Sequence, residues 1–193
     1  DDPSLRSKLK ESELRHPSLR DYIRLYYNVK SRFPDENILV FKVDVTDAFP
    51  RIIINPVHIA WLLISMLSSL YLINLVGTFG YAGLPYIYGV VARALEWKFA
   101  STCVALFGIT MALIYVDDMV GFLPQSKASA LISVAVQQAH DLLGIDAIRT
   151  EKNRLSHSED VIGWRLDTKA EVCLPSCRAI LKLCYLFFIL TPK

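Results

Sequence analysis

Charge is what this sequence lacks where a protein surface would need it. From Ile52 to Ala92 there is no Asp, Glu, Lys or Arg, and Ile59–Val76 and Phe99–Val116 are each eighteen residues without a charge. Runs of that length reach the lower limit for a membrane-spanning helix, so a small polytopic membrane protein is one reading of the chain. Against it, Asn55, Pro56, His58 and the cluster GTFGYAG (77–83) punctuate the first run, and the second ends in an acidic pair where a basic anchor is usual. Cysteine is also scarce. Cys103, Cys173, Cys177 and Cys184 fit neither a disulfide framework nor a usual zinc spacing, so they read as free thiols. No apolar signal segment opens the chain, which points to an intracellular protein, in cytoplasm or nucleus. Repeats, Gly/Ser linkers and low-complexity tracts are absent too.

What is there amounts to about one domain: 193 residues, 53% hydrophobic, with a net charge of only +2. The charge is uneven, +1 over residues 1–36, −2 over 37–148 and +3 over 149–193. A slightly basic tail beside a slightly acidic centre is compatible with a nucleic-acid partner without arguing for one.

Hydrophobic periodicity predicts a helix in LRDYIRLYYNVKSRF, ending before Pro34. NILVFKVDV (37–45) reads as a buried strand. HIAWLLISMLSSLYLINLVG is either two strands joined near Leu67–Ser69 or one helix. Helices are predicted over 85–101 and over 126–144, the latter with Ser126 as N-cap and Gly144 as its stop. ITMALIYV and MVGFL read as two strands meeting at Asp117 and Asp118. DAIRT, DVIGWRL and EVCL read as short strands, and PSCRAILKLCYLFFIL as a last helix. The order implies an α+β fold of the split β-α-β, ferredoxin-like kind: an antiparallel sheet with helices packed on one face.

In such a sheet the first strand and the central hairpin can be neighbours, which would bring Asp44 close to Asp117 and Asp118. Two carboxylates about 4 Å apart repel by about 4 kcal/mol at an effective dielectric near 20. A solvated hairpin turn would relieve the pair; a divalent cation would relieve all three. Three carboxylates converging on an apolar sheet favour the cation.

FKVDVTDAF (41–49), TFGYAGLP (78–85), IYVDDMVGF (114–122), LGIDAIRTEKNRL (143–155) and VIGWRLDT (161–168) occur in the order of the reverse transcriptase palm motifs. Over roughly residues 20–180 the chain resembles a reverse transcriptase domain, most like the DIRS-like or gypsy-like retrotransposon enzymes. The resemblance implies an N-terminal helical remnant of the fingers (1–36), a palm (37–180) and a truncated thumb start (181–193), with fingers and thumb incomplete. It also implies an RNA-directed DNA polymerase that adds dNTPs to a primer on an RNA or DNA template. In this family Asp44, Asp117 and Asp118 would bind two Mg²⁺ ions, Mn²⁺ being possible. Asp47 and Ala48 would line the triphosphate path, and Phe49 would lie under the incoming sugar and exclude a 2′-hydroxyl. Phe79 and Gly80 would sit at the nucleotide, in a loop shaped with Gly83 and Pro85. Lys152 would protonate the departing pyrophosphate, and Gly163 and Trp164 would grip the primer end. A palm that no longer catalyses and only binds nucleic acid is the competing reading. No membrane partner is implied by the resemblance.

Overall fold

The computed structural model describes residues 15–57, 63–67, 70–73, 75–77, 83–148, 151 and 153–190. Helix α1 (Leu19–Arg32) starts where Ser18 donates from both its backbone N–H and its hydroxyl to the Asp21 carboxylate, at 2.8 and 2.7 Å. Tyr22, Leu25, Tyr26 and Val29, spaced for one helical face, are buried, and the helix stops ahead of Pro34 as its sequence predicts.

Strand β1 (Ile38–Asp44) follows and becomes an inner strand of the main sheet. The charge-free region resolves into β2 (Leu63–Leu67) and β3 (Leu70–Ile73), an antiparallel pair, so the two-strand alternative holds over the helical one. Among the described residues no helix is long and apolar enough to cross a membrane. The long helix α2 (Leu84–Phe107) carries Pro85 in its first turn and ends on Gly108, whose φ of 79° is open to glycine without strain. It runs six residues past the predicted end.

Strands β4 (Ala112–Tyr115) and β5 (Asp118–Pro124) then form the central hairpin. Helix α3 (Ala128–Leu143) is capped by Lys127, not Ser126, whose backbone N–H instead donates to Glu36 at 3.1 Å; Gly144 stops it as expected. Of DAIRT (146–150), the described residues 146–148 do not form a strand. A 3₁₀ turn takes Ile145–Ala147, and Ile148 makes one isolated bridge to Val45. A strand the sequence did not announce, β6 (Arg154–Ser156), pairs with β1 instead. DVIGWRL divides into β7 (Ser158–Val161) and β8 (Trp164–Asp167), and β9 (Val172–Pro175) completes a three-stranded antiparallel sheet before α4 (Cys177–Leu190).

The main sheet has the order β4-β5-β1-β6 and its pairings are antiparallel. The first strand and the central hairpin are therefore adjacent. On one face Phe41 meets Phe99 of α2, with ring centroids 5.9 Å apart, and α3 lies alongside α2 through Lys98–Asp141 and Gln138–Thr102. The other face is covered as well: Phe122 of β5 meets Tyr26 of α1, centroids 5.4 Å apart. Coverage of both faces explains why β1 and β5 read as nearly continuous apolar runs without alternation. Gly121 makes the packing possible, since a Cβ there would lie 2.1 Å from the Met111 carbonyl oxygen and 2.5 Å from the Phe41 ring. On the outer edge, the Ile114 N–H of β4 donates to Glu96 at 2.7 Å, which closes part of an otherwise open sheet edge.

Candidate active site

Strand register decides what the acidic residues do. β1 and β5 pair from Ile38↔Pro124 through to Asp44↔Asp118, so these two aspartates are direct cross-strand neighbours. Partners of this kind stand about 4.5–5.5 Å apart at Cα. Asp117 occupies the turn before β5, and its carbonyl accepts the Val45 N–H at 3.0 Å, tying the turn to the chain just beyond Asp44. The register thus brings the backbone positions of Asp44, Asp117 and Asp118 together, though 73 residues separate the first two in sequence.

The turn is strained. Val116 has φ of 56°, a left-handed conformation that a β-branched residue rarely adopts, at a cost of order 1–3 kcal/mol. With the chain turned this way at Val116, Asp117 lies at the tip, its carbonyl against β1's end.

Electrostatics distinguish the three carboxylates. Burial, and then the charges of Asp118 and Asp44, push Asp117 above its ordinary 3.8, while Lys42 opposes the rise. Asp118 accepts an ion pair from Lys42 at 2.7 Å, with both side chains 28% exposed. With all four groups ionised the cluster carries two net negative charges. Among the described residues no three His, Cys, Asp or Glu side chains converge as a ready-made metal group. The donor chemistry nevertheless fits a hard divalent cation: carboxylate oxygens only, close enough for Asp117 to feel both neighbours, with Mg²⁺ needing few protein ligands because it keeps waters.

Around the cluster lies a wall that sequence reasoning anticipated only in part. Phe49, half-buried, sets its ring edge-on to Tyr88 at 5.8 Å and 88°. Tyr88 is 1% exposed on α2, and its hydroxyl is pushed well above the usual phenol range by burial first and then by Asp117. Nothing marked Tyr88 beforehand except its position four residues before Ala92 on the buried face of a helix. Arg51 was also missed. It donates to the backbone carbonyls of Thr46 (2.8 Å), Leu143 (3.0 Å) and Asp146, bracing the loop that carries Asp47, Ala48 and Phe49 against the end of α3. Within that loop Asp47 is exposed with φ of 52°, and Ala48 is buried. Gly77 lies beneath: a Cβ there would come within 2.5 Å of the Phe49 carbonyl oxygen.

Of the remaining predicted residues, Gly163 and Trp164 belong to the three-stranded sheet and not to the main one. Gly163 (φ 85°) forms the β7–β8 turn with Ile162, and Trp164 opens β8 in the second sheet, 36% exposed and so no core residue. Phe79, Gly80 and Lys152 lie outside the described residues.

No family model and no curated protein matches this sequence. Solved structures do match its fold. The foamy viral protease–reverse transcriptase in complex with an RNA/DNA hybrid aligns with TM-score 0.56 and 11% identity, over 80% of this chain and 19% of that one. Telomerase from Candida albicans, in complex with a fragment of telomeric RNA, aligns with TM-score 0.55 and 13% identity, over 97% and 40%. Apo telomerase from Candida tropicalis, truncated from its C-terminal domain, gives 0.54 and 11%, over 82% and 40%. The chain spans less than half the length of each of these proteins, and the likeness is one of fold: α+β, antiparallel and reverse-transcriptase-like.

Proposed function

We propose that this reverse-transcriptase-like chain is the palm of an RNA-directed DNA polymerase, a nucleotidyltransferase that extends a primer 3′-hydroxyl with dNTPs on an RNA or DNA template. The observation that carries the reading is the register Asp44↔Asp118 with Asp117 at a strained turn beside them. A shared position at the end of a covered sheet is costly for three carboxylates and useful for holding cations. Asp44 and Asp117 would hold two Mg²⁺ ions, or Mn²⁺, with Asp118 completing the set. Bound there, the ions would supply charge to the attacking and leaving oxygens of a phosphoryl transfer.

The chain's own residues do the rest. Lys42 neutralises Asp118 and orients it. Arg51 braces the Asp47–Phe49 loop against the end of α3. Phe49, backed by Tyr88, offers a rigid aromatic floor for a deoxyribose. In this reading Lys152 would meet the pyrophosphate, Phe79 and Gly80 the nucleotide, and Gly163 and Trp164 the primer. A retrotransposon origin, DIRS-like or gypsy-like, rests on the motif order alone, and an intracellular site of action goes with the nucleic-acid template.

One observation favours a second reading, an inactive palm that only binds nucleic acid: Asp118 is engaged by Lys42 rather than converging with its neighbours. Primer extension on an RNA template with dNTPs and Mg²⁺ separates the two. Extension that disappears in Asp117→Asn supports the polymerase. Template–primer binding without extension, unchanged by Asp117→Asn, supports the binding module.

A further inference from the structure

Helix α2 is apolar all round. Its 24 residues hold only three charges, Arg93, Glu96 and Lys98. One side packs into the core through Tyr88, Leu95 and Phe99. On the opposite side lie Ile87 (40% exposed), Val90 (57%), Ala94, Trp97 (72%), Ser101 and Val104 (47%), all exposed. Their spacing is 3-4-3-4-3, the a/d seam of a coiled coil, running unbroken for eighteen residues along the helix. A helix apolar on both sides is normally covered on both.

We propose that this seam pairs with the same seam of a second copy of the chain, antiparallel, about a two-fold axis lying between Ala94 and Trp97. The side-chain sizes carry the orientation. Antiparallel pairing about that point sets Trp97 against Ala94 of the other copy, Val90 against Ser101, and Ile87 against Val104. Large meets small in the two inner layers, twice each by symmetry, as an isologous interface requires. Parallel pairing would set Trp97 on Trp97 and Ala94 on Ala94, a clash next to a hole. Arg93 and Lys98 flank the seam on opposite sides, so about this axis each lies nearest its own counterpart in the other copy. Each brings its own carboxylate, Glu96 at 2.9 Å and Asp141 at 3.2 Å, so the flanks meet as neutral pairs. Six seam residues per copy bury roughly 1,000 Å² in total, at the lower edge of specific interfaces, so the dimer is weak and concentration-dependent. The seam lies on the side of α2 facing away from the main sheet, and the pairing does not depend on polymerase activity.

Sedimentation equilibrium of the whole chain tests this. The weight-average mass should rise from 21.8 kDa towards twice that value with concentration. Ala94→Glu or Trp97→Lys alone should weaken association at least tenfold, since each buries a charge against an apolar partner. The double variant A94E/W97K sets a carboxylate against an ammonium twice across an antiparallel axis, and should associate at least tenfold more tightly than either single variant. In a parallel pair it would set like charges together. Circular dichroism controls for folding, which these exposed positions should not disturb. Mass constant at 21.8 kDa up to roughly 1 mM, where a pair held by as little as about 4 kcal/mol would be half associated, overturns the proposal. So do single variants that associate like the parent, or a double variant no tighter than the singles.

Discussion

Asp44 and Asp118 face each other directly across two antiparallel strands, each the last or first residue of its strand. A like-charge pair in that position destabilises a sheet. Lys42, two residues before Asp44, reaches the Asp118 carboxylate at 2.7 Å and offsets part of the cost. Asp117, buried at the neighbouring turn, is the carboxylate of the three whose ionisation burial opposes, and that leads to testable consequences.

Asp117→Asn should stabilise the protein in metal-free buffer at neutral pH. Asp117 titrates above its ordinary 3.8 in the folded state, so folding favours its protonated form. The stability tied to that proton is complete below 3.8 and is lost as pH rises through the raised value. The amide never pays the penalty of ionising there. Urea midpoints measured against pH in EDTA should separate the two proteins at pH 7 and bring them together near pH 3.5; curves that stay parallel across the range would contradict the burial of Asp117.

Lys42→Gln should have the opposite sign. Removing the ammonium leaves three carboxylates at one end of the sheet, at a cost of about 1–2 kcal/mol for a pair lying between the exposed and buried limits. Millimolar Mg²⁺ should recover most of that loss if the carboxylates can take a cation. Thermal melts with EDTA or Mg²⁺ read both effects, and a variant that Mg²⁺ leaves unchanged would argue against a cation site.

Gly121→Ala should be far more damaging than Gly108→Ala. At Gly121 the added carbon meets the Met111 carbonyl, the Phe41 ring and Ala112, all backbone or rigid core, and a loss of about 3 kcal/mol or more is expected. At Gly108 nothing lies within 4 Å and only the left-handed φ opposes it, a cost of about 1 kcal/mol. Urea unfolding of both variants checks the ranking.

Phe49→Val should relax sugar selectivity without unfolding the chain, because Phe49 sits half-buried at the rim of the core and touches Tyr88 edge-on. Each 1.4 kcal/mol of lost discrimination is about tenfold in rate ratio, and a steric contact worth a few kcal/mol predicts roughly a hundredfold fall in preference for dNTPs over rNTPs. Competition between dNTPs and rNTPs in primer extension measures it. Unaltered selectivity would make Phe49 a packing residue only.

Local pattern was enough for much of this protein. The i, i+3, i+4, i+7 spacing of Tyr22, Leu25, Tyr26 and Val29 announces α1, Pro85 announces the start of α2 though not its end, and the apolar runs around Asp117 announce a hairpin. The palm-like motif order drew attention to Asp44 before any contact was known. Each of these signals arises within a few residues, where side-chain period and backbone freedom act directly. What lay beyond reach was long-range. β6 is three residues long and exists because β1 offers it an open edge. Ser126 looks like a helix cap, yet Glu36, ninety residues away, takes its N–H. Lys42, Tyr88 and Arg51 gain their roles from neighbours supplied by other elements, and the outward seam of α2 shows as a seam only once the opposite side is seen to be buried. Sequence period determines which residues share a face; pairing and packing over long separations determine what that face meets, and at the acidic cluster that second step is what brings Lys42 to Asp118.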